Sequence, residues 1–71
     1  MRYELYLARF DWENDCDEVQ DKPHFMASSL PLARKVVELY HEGKFAESLG
    51  ALYVKYPNLR IFDIETGEFV E

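Results

Sequence analysis

The sequence predicts an α+β fold: a three-stranded, mostly antiparallel sheet in the order β-α-α-β-β, with two helices packed on one face. Three observations predict it. Residues 2–10 alternate with period two, residues 28–56 carry apolar residues at helical spacing, and the chain closes on two short apolar runs around a glycine turn. At 71 residues the chain is long enough for one small domain spanning 1–71, with five Tyr, five Phe and one Trp to build a core.

In the first run, Tyr3, Leu5 and Leu7 fall on one face and Glu4, Tyr6 and Ala8 on the other, the signature of a half-buried strand. Phe10 and Trp12 either extend it or act as anchors. Residues 11–21 follow. Asp11, Glu13, Asp15, Asp17, Glu18 and Asp21 are acidic, and the segment holds no Lys or Arg. The remaining eight acids match the eight basic residues, so the formal charge of -6 is concentrated here. The segment lacks Gly and Pro and is too charged to bury, so it reads as a loop or one helical turn ending at Pro23. His24 to Ala27 make a brief apolar return, read as a short extended piece.

Ser28 and Ser29 offer a helix N-cap, with Pro31 tolerated in the first turn. Leu32, Ala33, Val36, Val37 and Tyr40 form the apolar stripe, and Gly43 suits the position just past the helix end. A second helix starts near Lys44 with Phe45, Leu49, Leu52, Tyr53 and Tyr56 inward, weakened slightly by Gly50 and stopped by Pro57 and Asn58. Residues 59–64 form the most apolar strand, placed centrally beside the first. Residues 65–68 form a hairpin turn with Gly67 at positive φ, and Phe69 and Val70 begin the return. The expected core is Leu5, Leu7, Leu32, Val36, Val37, Tyr40, Phe45, Leu49, Leu52, Tyr53, Leu59 and Ile61.

The composition argues against several chemistries. Asp11, Glu13, Asp15 and Asp17 alternate as in a calcium loop, but Cys16 replaces the required Gly and Lys22 the closing Glu, so no metal is expected. Cys16, His24 and His41 are the candidates for nucleophile and base. Acidic neighbours disfavour a reactive thiolate at Cys16, and His41 suits a helix's last turn, so no catalytic residue and no cofactor are expected. A Cys16→Ser change is expected to leave activity intact. Residues 63–68 look like the Glu-Thr-Gly-Glu peptide that docks into Kelch propellers, though turn chemistry accounts for Thr66 and Gly67. A single cysteine points to a reducing, cytoplasmic setting; no signal peptide or membrane span is read, and the acidic balance disfavours direct contact with nucleic acid.

What remains is a binding role. Asp11, Trp12, Glu13, Asp15, Asp17, Glu18 and Asp21 are the expected partner-binding residues, facing a basic protein surface. Because they read as solvent-exposed, reversing Asp15, Asp17 and Glu18 to Lys is expected to change stability little. In size, charge and layout over the whole chain, the protein resembles small acidic phage-encoded inhibitors, including anti-CRISPR proteins. That resemblance implies a monomeric inhibitor that mimics DNA and blocks a CRISPR effector complex. The alternative is a structural or regulatory module, such as a homodimer pairing through an edge strand, either residues 3–8 or residues 68–71.

Overall fold

The computed structural model describes residues 1–70 and shows an α+β fold built on a curled antiparallel sheet. Strand β1 (Tyr3–Asp11) is its hub. Along one edge β1 pairs with β4 (Asn58–Asp63), from Tyr3 opposite Asp63 to Ala8 opposite Asn58. Along the other edge it pairs at one end with β3 (Phe25–Ala27) and at the other with β2 (Cys16–Val19). Between them the Gln20 N–H donates to the Leu7 carbonyl and the His24 N–H to the Leu5 carbonyl, so the coverage continues. Strand β5 (Glu68–Val70) flanks β4.

The sheet therefore has five strands among the described residues, where the sequence pattern predicts three. The two additional strands are the acidic segment and the apolar return after Pro23. Strand β4 still lies between β1 and β5, but β1 is not an edge: its outer groups are taken by β2 and β3. Of the edge strands expected for homodimer pairing, only β5 remains one, and residue 71 lies outside the described residues.

Helix α1 (Leu30–His41) begins and ends as its sequence dictates. The Ser29 hydroxyl accepts from the Leu32 N–H at 3.4 Å, and Pro31 sits where no intrahelical donor is needed. At the other end Gly43 adopts φ +84°, and the N–H groups of Gly43 and Lys44 donate to the carbonyls of Tyr40 and Leu39. This pair of bonds satisfies carbonyls the helix would otherwise leave open. Ala33 and Tyr40 are fully buried and Val36 and Val37 half-buried, whereas Leu32 is 46% exposed. Leu32 belongs to the expected core but falls off the rim of the stripe, since the sheet contacts only the narrower arc through Ala33, Val36, Val37 and Tyr40.

The expected second helix is two pieces, α2 (Ala46–Leu49) and α3 (Ala51–Lys55). Gly50 breaks it, at φ +56° and ψ −119°, a backbone state that L side chains rarely adopt. The break turns Phe45, Leu49, Leu52 and Tyr53 onto the core as partly buried packing.

That core gathers Tyr3, Leu5 and Leu7 of β1, Ala27, Ala33, Tyr40, Tyr56, and Leu59 and Ile61 of β4. Tyr40 is its centre. The rings of Phe25, Phe45 and Tyr53 lie between 5.1 and 6.5 Å from its own, and its hydroxyl donates to the Tyr56 carbonyl. At the end of β4 the buried Asp63 carboxylate accepts from Arg2 at 3.0 and 3.2 Å and from the Glu65 N–H at 3.0 Å. Gly67, at φ +72°, then closes the hairpin by donating to the Asp63 carbonyl. Among the described residues, no helix is long and apolar enough to cross a membrane.

Candidate functional site

The acidic segment is a β-hairpin, not a loop. Strand β1 runs on to Asp11, whose carboxylate accepts from the Glu13 N–H at 3.0 Å and from the Asn14 side-chain amide at 2.8 Å. These bonds fold residues 12–15 into a turn, as Asp side chains do when they mimic a backbone acceptor. They also hold the Asp11 carboxyl below its usual range, the Asn14 amide foremost and the Glu13 N–H next. Asp15 takes φ +53°, a left-handed state that Asp tolerates better than most residues, and the chain returns as β2.

The ladder then sorts the acids. Glu18 sits opposite Arg9, and the two pair at 2.6 Å. Asp17 sits opposite Phe10 on the other face, where Arg60 of β4 reaches across β1 to pair with it. Ala8 lies between these partners on that face and is fully buried. Thus Asp11, Asp17 and Glu18 are built into the fold. Glu13, Asp15 and Asp21 are exposed and have no ion pair among the described residues. Trp12, at the turn, is 85% exposed and meets Phe10 edge-on at 4.5 Å between centroids.

This arrangement corrects two expectations. The segment does contribute to the fold, through a strand and two cross-strand ion pairs. Reversing Asp17 and Glu18 would set Lys against Arg60 and Arg9, so the reversal of Asp15, Asp17 and Glu18 is no longer expected to spare stability. Glu13, Asp15 and Asp21 are the acids that can be reversed without that conflict.

Sequence reasoning missed a second feature, an aromatic band on the sheet face away from the helices. Tyr6, Phe62 and Phe69 form a triangle of edge-to-face rings with centroids 5.1, 5.9 and 6.0 Å apart. The Arg60 guanidinium lies over Phe69, 5.1 Å from its centroid. The Tyr6 hydroxyl donates to Glu4, and its phenol is pushed up by burial first and by that bond second. Part of the signal lies in the sequence, where Tyr6 and Phe10 share one parity of a strand that does run through Phe10, whereas Trp12 falls in the turn.

Cys16, His24 and His41 are all exposed, and none lines the recess of about 510 Å³ beside α1 and β4 that Val37, Leu59, Ile61 and Val70 share with Asp17, Arg34, Glu38 and Arg60. Among the described residues no three of His, Cys, Asp and Glu converge as a metal site. No family model, curated protein or solved structure matches the chain.

Proposed function

We propose that the protein is a non-enzymatic binding inhibitor whose acidic hairpin occupies a basic, nucleic-acid-binding surface of a partner complex. The observation that carries this reading is Trp12, exposed at the hairpin tip against Phe10 in the same turn as the exposed Glu13 and Asp15. An exposed Trp offers a large anchor at small entropic cost, and the carboxylates stand where phosphates would lie in a basic groove. The resemblance to anti-CRISPR proteins makes a CRISPR effector complex the target to test.

The alternative of pairing through a sheet edge draws less support. The outermost strands are three or four residues long, and β2 carries Asp17 and Glu18. Short, charged edges resist open pairing.

The test is displacement of target DNA from guide-loaded effector complexes. The wild-type protein should displace it, and the effect should weaken with salt, which screens exposed charges over about 8 Å at physiological ionic strength. Reversing Glu13, Asp15 and Asp21 to Lys brings the formal charge from -6 close to neutrality and should weaken binding at least about tenfold, chiefly through slower association. A triple variant that binds like wild type at low salt would sink the hairpin reading.

A further inference from the structure

The two faces of the sheet are covered differently. One face is covered by α1, with Ala33 and Tyr40 packed in one core with Leu5, Leu7, Leu59 and Ile61. The other has no helix, yet it is not polar. Cross-strand register sets Phe62 opposite Glu4, Arg60 opposite Tyr6, and Phe69 opposite Phe62. Met26, beyond Glu4, is 50% exposed, and Phe10 and Trp12 lie farther toward the hairpin tip, past Ala8 and the Arg60–Asp17 pair. Phe69 is 37% exposed and Tyr6 and Phe62 are half-buried, and aromatic surface that reaches solvent in this way marks an interaction face.

Two partner classes use such faces, and charge decides between them. Single-stranded nucleic acid stacks on sheet aromatics, but it also needs cations to track its backbone. Here Arg60 is already paired with Asp17 and lies over Phe69, while Arg2, just before β1, is paired with Asp63 and Glu65. At one end of the band Glu4 adds a carboxylate, and at the other Glu13 and Asp15 add two more. The face repels phosphate and suits a cation-flanked apolar ligand.

We propose that the helix-free sheet face docks a cationic amphipathic helix of a partner protein. Its apolar stripe lies on Tyr6, Phe62 and Phe69, and its Lys and Arg flanks point toward Glu4 at one end and Glu13 and Asp15 at the other. The geometry repeats what α1 does on the opposite face: a helix laid on a sheet buries an apolar arc and leaves its charged arc in water. The inference stands on the aromatic face and does not depend on the hairpin occupying a nucleic-acid groove.

The test is calorimetric titration of the full chain with a synthetic helix bearing Leu on one face and Lys on the other. Its Glu counterpart and a single-stranded oligouridylate serve as competitors. The Lys peptide should bind and the other two should not. Phe69→Ala, on the outermost strand, should weaken binding at least about tenfold, as truncation of a central aromatic anchor does. Phe62→Ala should do the same, with folding of both variants checked by circular dichroism. Val54→Ala, on the helical layer and 81% exposed in the parent, should leave binding unchanged. Equal binding by Phe69→Ala and wild type would overturn the proposal, and so would binding of the oligouridylate. Self-association that Phe69→Ala abolishes would also overturn it, by assigning the face to a second copy of the chain. Both Phe variants keep every hairpin acid, so this proposal and the hairpin reading can fail separately.

Discussion

Tyr40 shows how a single side chain can carry the core. Its ring is fully buried among Phe25, Phe45 and Tyr53, and its hydroxyl satisfies the Tyr56 carbonyl just past the end of α3. Tyr40→Phe keeps the packing but strands a buried acceptor, which should cost about 1–2 kcal/mol in denaturant unfolding. Burial pushes the Tyr40 phenol above its ordinary value of 10.0. A group whose folded value is raised contributes stability that is complete below the unfolded value and lost as pH rises through the folded one. Stability should therefore fall above about pH 10, and Tyr40→Phe should flatten part of that decline, leaving the share due to Tyr6. Asp63 works with the opposite sign. The hydrogen bonds from Arg2 foremost, and the Glu65 N–H after burial's opposing effect, hold its carboxyl below 3.8. Its contribution is present above that value and lost as pH falls through the lower folded one. Acid unfolding of Arg2→Met, followed by circular dichroism, should show a smaller acid-dependent loss than wild type, with a remainder from Asp11. Tyr40 was legible as a core residue from helical spacing. The ion pair of Asp63 was not, because Arg2 lies at the far end of the sequence and only the β1–β4 register brings them together.

At the level of elements, punctuation residues decide more than the apolar pattern does. Gly50 ends α2 and starts α3 in a backbone state that strains any L side chain, although open space surrounds it. Gly50→Ala should raise the helix propensity of the segment and still destabilise the fold by about 1–2 kcal/mol, measured by thermal or urea unfolding. A stabilised variant would mean that α2 and α3 can join into one helix without loss of packing. Helix α1, its Ser29 cap and its Gly43 stop, and the closing turn at Gly67 were all legible, since local chemistry fixes them. Strand β2 was not. Its acids mask the period-two pattern that defines strands, and its pairing depends on a turn set by Asp11, Asn14 and Asp15 and on cations supplied by Arg9 and Arg60. The acidic cluster is plain in the sequence, but its acids divide into those paired across the ladder and those without an ion pair only once the cross-strand partners are known.

Across the whole molecule, β1 and β4 come from opposite ends of the chain and meet over six paired positions, from Tyr3 with Asp63 to Ala8 with Asn58. Hairpins β1–β2 and β4–β5 need only short turns and form on the microsecond scale typical of such pieces. The β1–β4 ladder must instead wait for nearly the whole chain to close into a loop, with the entropy loss that entails. The same ladder carries the inner face on which α1 rests and the outer face that holds the aromatic band. Both surfaces therefore need that closure, and a chain without it has neither the covered core nor the outer aromatic band. Topology thus ties both faces of the sheet to one closure between the two ends of the chain.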